Sequence, residues 1–237
     1  MDRPDRLSRP MDAVLHLLDR QIIDRDGLFA GKVDDLELTE YDDRTLRLTA
    51  LLVGPPALLP RLGGRLGGWL LDMWRELGVT RADRDAPGRI DLADVEHLGS
   101  GVTLNRPRAA LVRTQGEPVA GTVRRRLGDL LGMEVRGPAG VRVRGRVIDV
   151  RVASGRPRGG RYVVARSLVV SRGRPGSLLG YDRASVSRPV VVDRVISWLH
   201  RHTGELDLAD VVRIDWEARV VHATAEPGPL RAEDDRG

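Results

Sequence analysis

The chain has 237 residues, of which 41% are hydrophobic and only 3% aromatic, with a formal net charge of +5 and no cysteine. This length is sufficient for two small cores, which must be built from Leu, Val and Ile. The absence of cysteine excludes disulfides, thiolate metal sites and cysteine nucleophiles. Because no apolar run reaches about eighteen residues and the N-terminus is charged, we expect a soluble cytoplasmic protein.

The first half of the chain is predicted to consist mainly of strands. The elements expected in chain order are a buried strand at 17–23, a turn at 24–27, strands at 31–38 and 45–52, a helix at 68–78 and two extended segments within 89–105. In the strand at 45–52, the residues Leu46, Leu48, Ala50 and Leu52 are spaced two apart. They are therefore expected to share one buried face.

The second half repeats this order. The sequence Asp-Leu-Ala-Asp-Val occurs at 91–95 and again at 207–211, a shift of 116 residues, and Gly31–Asp35 resembles Gly145–Asp149 at a shift of 114. The elements expected here are strands at 130–135, 141–152 and 162–170, a helix at 189–203 and a closing hairpin within 211–223. A shift that drifts by only a few residues indicates one unit present twice, and a unit of this length favours two linked domains over a solenoid.

The repeat divides the chain into five segments. The first domain is predicted at 12–105 and the second at 127–224, joined by a linker at 106–126 that is rich in Arg, Pro and Gly. Polar tails at 1–11 and 225–237 are expected to be disordered.

With these elements in order, the chain resembles two PRC-barrel domains in tandem. The resemblance rests on a Gly-Lys/Arg-Val-x-Asp-hydrophobic segment at 31–36 and 145–150, and on a Leu-x-Asp-Val element at 92–95 and 208–211. It implies a mainly β fold of two small β-barrels, and both copies depart from the family by an added α-helix before the Asp-Val element. Related domains in the photosynthetic reaction-centre H subunit and in a ribosome-maturation factor resemble binding modules rather than catalysts.

Two groups of residues are considered as metal sites. Five acidic residues crowd together in the first copy and suggest a hard-cation site: Asp24, Asp26, Asp34, Asp35 and Glu37. The equivalent turn at 137–140 carries no ligand, so a plain acidic turn is favoured. His200 and His202 would diverge by about 200° on a helix, and the remaining histidines, at positions 16, 97 and 222, have no neighbouring ligand pattern. No metal site is predicted.

The sequence offers no pattern for catalysis. The glycine-rich segment at 63–68 lacks the Gly-Lys-Ser/Thr ending of a P-loop, and no Gly-x-Ser-x-Gly nucleophile elbow or paired catalytic carboxylates can be identified. We therefore expect no enzyme activity and no cofactor.

A row of arginines is the best candidate for a binding surface. Arg142, Arg144 and Arg146 alternate along one predicted strand, so they are expected to share a face. The candidate surface for an anionic partner consists of Arg142, Arg144, Arg146, Arg151, Arg156, Arg158 and Arg161. RNA would be held there through its phosphates, but only Tyr162 and Tyr181 could stack on bases. An exposed strand kept soluble by arginine is an equal alternative.

Charge is distributed unevenly between the halves. Residues 1–105 hold 14 basic and 19 acidic side chains, a net charge of −5, whereas residues 106–237 hold 25 and 15, a net charge of +10. Such asymmetry indicates different partners, or attraction between the halves or between molecules, although a merely solvated surface explains it equally well. Arginine enrichment by itself is explained by codon usage, since Lys32 is the only lysine.

Two functions follow from these observations. The first is a non-catalytic adaptor that docks protein partners, or self-associates, through oppositely charged domains. The second is an RNA- or ribosome-associated maturation factor that binds phosphate through the basic second domain.

Overall fold

A computed structural model describes residues 10–41, 45–61, 69–70, 72–73, 86–110, 118–138, 142–155, 162–171 and 203–230. The described chain is mainly β, with a few short helices. It divides into two compact units: unit 1 comprises Met1–Gly128 and Val152–Ala165, and unit 2 comprises Asp129–Arg151 and Arg166–Gly237. No helix in the described ranges is long and apolar enough to cross a membrane.

Unit 1 contains two short α-helices and most of the described strands. In chain order its elements are β1 (Met11–Asp12), α1 (Ala13–Leu17), β2 (Gln21–Ile23), β3 (Phe29–Lys32), β4 (Asp35–Tyr41), β5 (Leu46–Val53), α2 (Pro55–Arg61), β6 (Gly88–Asp91), a 3-10 turn (Leu92–Asp94), β7 (Val95–Leu98), β8 (Val102–Leu104), a 3-10 turn (Arg108–Ala110) and β9 (Thr122–Arg126).

The strands of unit 1 form two sets of pairs. One is a four-stranded sheet of order β3-β2-β8-β7, in which β2 and β8 run parallel. In the other, β4 pairs antiparallel with β5 and β9, and β5 also pairs antiparallel with β6. As predicted, Leu46, Leu48, Ala50 and Leu52 of β5 are all buried. These side chains contribute to an aliphatic core, consistent with the low aromatic content.

Unit 2 repeats this arrangement. The elements of this second copy are α3 (Leu127–Leu130), β10 (Glu134–Arg136), β11 (Arg142–Gly155), β12 (Tyr162–Ser171), β13 (Thr203–Asp207), a 3-10 turn (Leu208–Asp210), β14 (Val211–Asp215), β15 (Val220–Ala223) and β16 (Gly228–Pro229). The start of α3, the end of β11 from Val152 and the start of β12 up to Ala165 belong to unit 1, and the remainder belongs to unit 2. β10 pairs antiparallel with β11 and parallel with β15, as β2 does with β3 and β8. β12 pairs antiparallel with β13, as β5 does with β6.

The backbone conformation of individual turns is also the same in the two copies. The two Asp-Leu-Ala-Asp-Val segments form the same 3-10 turn, with cap angles of φ −61° and ψ 140° at Asp91 and φ −62° and ψ 138° at Asp207. After the first helix of each copy, the amide of Asp19 donates to the carbonyl of Val33 at 2.8 Å, and that of Gly132 donates to Val147 at 2.7 Å. The duplication detected in the sequence therefore extends to backbone hydrogen bonds.

Some predicted elements differ from the structure. The strand expected at 17–23 is a helix ending at Leu17, a turn through Asp19 with φ +61°, and a strand only at 21–23. The counterpart at 130–135 likewise has a turn at Gly132, with φ +79°, before its strand. A short apolar run fits a helical turn as well as a strand, so periodicity does not separate the two.

Two further segments contain strands that were not expected. The predicted linker at 106–126 ends in β9, and the predicted disordered tail at 225–237 contains β16, which pairs with Gly204 and Glu205. Of the helix predicted at 68–78, Trp69, Leu70, Asp72 and Met73 have helical backbone and the remainder lies outside the described residues. The helix predicted at 189–203 also lies outside them, except for Thr203, which begins β13.

Candidate functional site

The hairpin of β2 and β3 presents an apolar surface to solvent. Ile22 is fully buried, while its neighbour Ile23 points the other way and lies directly opposite Phe29. The exposed fractions are 36% for Ile23, 48% for Leu28 and 55% for Phe29, the only phenylalanine of the chain. We call these three side chains the apolar hairpin patch. Three large apolar groups exposed together are less common than one exposed alone and mark a candidate contact surface.

A buried carboxylate fixes the tip of this hairpin. Asp24 is buried, and one of its oxygens accepts from the amides of Asp26 and Leu28 at 3.0 and 2.8 Å. Its other oxygen accepts from the amide of Arg108 at 2.8 Å. The bond from the Arg108 amide, with those from Leu28 and Asp26, outweighs burial and lowers the pKa of Asp24. The patch is therefore held on a fixed turn.

Positively and negatively charged side chains surround the apolar hairpin patch. Arg25 and Asp26 are exposed and lie 3.5 Å apart, and Lys32 is exposed on β3. An apolar centre with a charged rim is the usual anatomy of a protein interface.

The equivalent hairpin of unit 2 has a different chemistry. Arg136 lies opposite Arg142 and Glu134 lies opposite Arg146, as Ile23 lies opposite Phe29 and Gln21 lies opposite Lys32 in unit 1. Arginines thus occupy the register positions of the apolar pair. The two copies of one hairpin have diverged, one toward apolar contact and the other toward positive charge.

The seven arginines of the candidate anionic-partner surface have different positions. Arg142 and Arg144 lie in β11, and Arg146 is exposed on the same strand. Arg151 is only 6% exposed and donates to Glu205 at 2.8 Å, so it is turned away from solvent. Arg156, Arg158 and Arg161 lie outside the described residues. Of the two side chains in this set whose exposure the structure describes, that of Arg146 is exposed and that of Arg151 is buried.

Arg151 belongs to a buried polar cluster of unit 2. Glu205 on β13 accepts from Arg151 and, with its other oxygen, from the hydroxyl of Ser167 at 2.5 Å. All three groups lie on adjacent strands and have their hydrogen bonds directed inward. This cluster is a packed structural element.

Unit 1 has a buried ion pair equivalent to that of Arg151 and Glu205, but the acidic and basic residues have exchanged places. Glu37 on β4 occupies the place of Arg151, two residues after the Asp that each copy shares, and Arg89 on β6 occupies the place of Glu205. Arg89 Nη2 and Glu37 Oε1 are 3.0 Å apart, and Arg89 also pairs with Asp91. Burial lowers the pKa of Arg89, but its bonds to Glu37 and Asp91 outweigh burial, so that the pKa is raised overall. The Arg89 guanidinium therefore stays charged beside Glu37.

The Glu37 carboxylate is saturated with donors. It accepts from Arg89, from the Thr49 hydroxyl at 2.8 Å, and lies 3.7 Å from Arg124 of β9. These donors come from three neighbouring strands, so the carboxylate links the strands to one another. The cluster holds β4, β5, β6 and β9 together.

A cation lies between two tyrosines near this cluster. The guanidinium carbon of Arg47 is 4.2 Å from the ring centre of Tyr41 and 5.1 Å from that of Tyr162. Its Nε is buried without a hydrogen-bond partner. The ring faces interact with the guanidinium and compensate for part of that loss.

The acidic and histidine candidates are placed in structural roles. Asp34 accepts from the amide of Gly54 at 2.6 Å, and Asp35 and Asp149 accept from the amides that follow them. His16 bonds to the carbonyl of Asp12, and His222 lies 3.4 Å from Arg213. Within the described ranges, no group of three His, Cys, Asp or Glu residues could hold a metal. His200, His202 and the segment 63–68 lie outside these ranges.

Sequence reasoning missed the apolar hairpin patch and an arginine of unit 2, Arg219. The patch left a signal: Gln21-Ile22-Ile23 places two isoleucines on opposite faces of one strand, so one of them must be turned outward. Nothing in the sequence indicated the role of Arg219, since its position depends on the turn between β14 and β15, where Arg219 itself has φ +55°. No protein-family model and no curated protein matches this chain significantly.

Proposed function

We propose that this protein is a non-catalytic adaptor, built from two PRC-barrel-like units, that docks a protein partner through the apolar hairpin patch of unit 1. The observation that carries the proposal is the exposed cross-strand pair of Ile23 and Phe29 on a turn fixed by Asp24. The PRC-barrel assignment is supported by the two motif pairs and by the common strand order of the units. Barrel closure is part of the proposal.

The chemistry of the patch favours a protein partner. Aromatic and aliphatic anchors at the centre of an interface contribute most of the binding energy, and a preorganised surface loses little entropy on binding. The three patch side chains satisfy the first condition and the Asp24 bonds satisfy the second. A partner should therefore bring an apolar segment to this surface.

Self-association is the second form of the adaptor proposal. Opposite net charges of the two halves would attract one molecule to another, and that attraction would weaken with added salt. An apolar contact would change little with salt. Sedimentation of the purified protein at low and high salt separates these two modes.

The direct test is affinity purification from native cells, with and without ribonuclease. The test variant is Ile23→Thr with Phe29→Thr, and the matched control is Val212→Thr, a strand valine of unit 2 that is 47% exposed. Threonine keeps β propensity, so the strands should be retained. We expect a stoichiometric protein that survives nuclease, is lost with the double variant and is retained by the control.

Two outcomes would refute the adaptor proposal. If the same proteins copurify with wild type and double variant, the patch is not the docking surface. If only ribosomal proteins copurify and all disappear with nuclease, the alternative of an RNA- or ribosome-associated maturation factor replaces it. That alternative is favoured by one observation, the arginines at the register positions of the unit 2 hairpin.

A further inference from the structure

Two arginines of unit 2 converge on a single turn. Arg146 Nη1 donates to the carbonyl of Gly132 at 2.7 Å, and Arg219 Nη2 donates to the carbonyl of Leu131 at 2.8 Å. The two acceptors are consecutive in the chain, so both guanidinium groups are anchored to the same turn. Both side chains belong to exposed residues.

The turn is fixed by a left-handed glycine and by backbone hydrogen bonding. Gly132 has φ +79°, and a Cβ at this position would lie 3.9 Å from Arg219 Nη2. The Gly132 amide donates to Val147, the residue that follows Arg146. Turn and arginines are thus tied to one another by short hydrogen bonds.

Each guanidinium retains donors for a ligand. An arginine has five N–H donors, and one carbonyl occupies only part of them. In the described part of the chain neither arginine has a carboxylate within ion-pair distance, whereas Arg136 and Arg213 pair with Glu134 and Asp215 at 3.2 and 3.4 Å. Two cations held on one turn without a counter-charge raise the local positive potential, and a bound anion would neutralise it.

Unit 1 lacks this arrangement. In unit 1, Asp19 occupies the position of Gly132 and Lys32 occupies the position of Arg146. When β8 is aligned with β15 through their parallel partner strands, Ser100 occupies the position of Arg219. The paired arginines are therefore specific to the second copy, in the half of the chain with a net charge of +10.

We propose that Arg146 and Arg219 form a binding site for a phosphate of a single-stranded RNA backbone. A phosphate offers acceptors to two guanidinium groups at once, which suits this pair. Arg142 lies opposite Arg136 in the register of the same hairpin, and this concentration of arginine in β10 and β11 favours a polyanion over an isolated ion. The inference rests on the RNA alternative for function and is independent of the apolar hairpin patch.

The test measures binding of a fluorescein-labelled single-stranded RNA of mixed sequence to the full chain by anisotropy, across a series of salt concentrations. The variants are Arg146→Gln and Arg219→Gln, because glutamine keeps a donor for the anchoring carbonyl and removes the charge. The control is Arg213→Gln, an exposed arginine of the same unit that already pairs with Asp215. Arg146→Lys and Arg219→Lys retain the charge.

We expect each glutamine variant to weaken binding about fivefold, the upper range for an exposed ion contact. The slope of log affinity against log salt should fall by about 0.7 for each charge removed. The lysine variants should keep the wild-type slope, and Arg213→Gln should change neither quantity appreciably.

Different failures can be told apart. Wild-type RNA binding that is unaffected by the glutamine variants would overturn this site and leave an RNA function standing. If the wild type binds no RNA but binds a polyglutamate peptide, the phosphate assignment is overturned and the arginines belong to a protein interface. Equal losses in Arg146→Gln and Arg213→Gln would show that only total charge matters, which also overturns the site.

Discussion

Replacing Arg89 by methionine should strongly destabilise unit 1. The change keeps the length of the side chain but removes the guanidinium that bonds to Glu37 at 3.0 and 3.1 Å. Glu37 is only 3% exposed, so water cannot readily replace the lost donors. The carboxylate would retain the Thr49 hydroxyl and the more distant Arg124.

The magnitude follows from the partners that remain. Removing one member of a buried ion pair costs about 3–5 kcal/mol in the free energy of unfolding, because the other charge is left uncompensated. Two remaining partners reduce the penalty, so we expect a loss near 3 kcal/mol. Glu37→Gln with Arg89→Met, which leaves no buried charge in the pair, should recover part of it.

The charge-reversed variant is the sharper comparison. Glu37→Arg with Arg89→Glu reproduces the polarity of Arg151 and Glu205 in unit 2. It should be more stable than either single change, although Asp91 now faces a like charge. Urea denaturation of the full chain, combined with hydrogen exchange of the β4, β5 and β6 amides, measures the effect. A loss below about 1 kcal/mol for Arg89→Met, or additive losses in the reversed variant, would refute the reasoning.

Two further predictions concern the turn at Asp24 and the packing of glycines in the strands. The lowered pKa of Asp24 means that its carboxylate contributes stability above its ordinary pKa and loses it as pH falls through the lowered value. Asp24→Asn should therefore lower the melting temperature at pH 7 by more than at pH 3, and equal losses at both would contradict this. Gly145→Ala would place a Cβ 2.5 Å from Val170 Cγ1, costing about 1–3 kcal/mol by overpacking. In urea denaturation, adding Val170→Ala should restore the stability lost in Gly145→Ala, because it removes the clashing methyl group. Gly31→Ala is the control, since Gly31 has φ +135° and an alanine there would be strained in its backbone. Adding Val53→Ala should therefore not restore the stability lost in Gly31→Ala.

Local patterns predicted the buried face of β5 and the duplication. Leu46, Leu48, Ala50 and Leu52 follow a period of two that needs no tertiary information. The repeated Asp-Leu-Ala-Asp-Val segment located the same turn twice. Both results depend on residues that are close together in the chain.

Features that depend on distant residues could not be predicted. β9 has the composition of a linker, and it becomes a strand because Thr122–Arg126 pairs with residues 37–41, about 85 positions earlier. The members of the two buried ion pairs are 52 and 54 residues apart. Arg151 lies in an arginine-rich strand and was therefore predicted to be on the surface. It is buried because it pairs with Glu205, and nothing in the sequence around Glu205 indicates that partner.

The reversed polarity of the two buried ion pairs has a consequence for how the chain assembles. Two repeats of the same strand order could exchange equivalent strands during folding, with β6 joining β12 and β13 joining β5. Exchange would bring Arg89 to Arg151 and Glu205 to Glu37, which places like charges together in buried positions. The charges thereby favour the pairing of β6 with β5 and of β13 with β12. Two copies of one fold in a single chain need a means of distinguishing equivalent strands. The opposite polarity of the two buried ion pairs provides it.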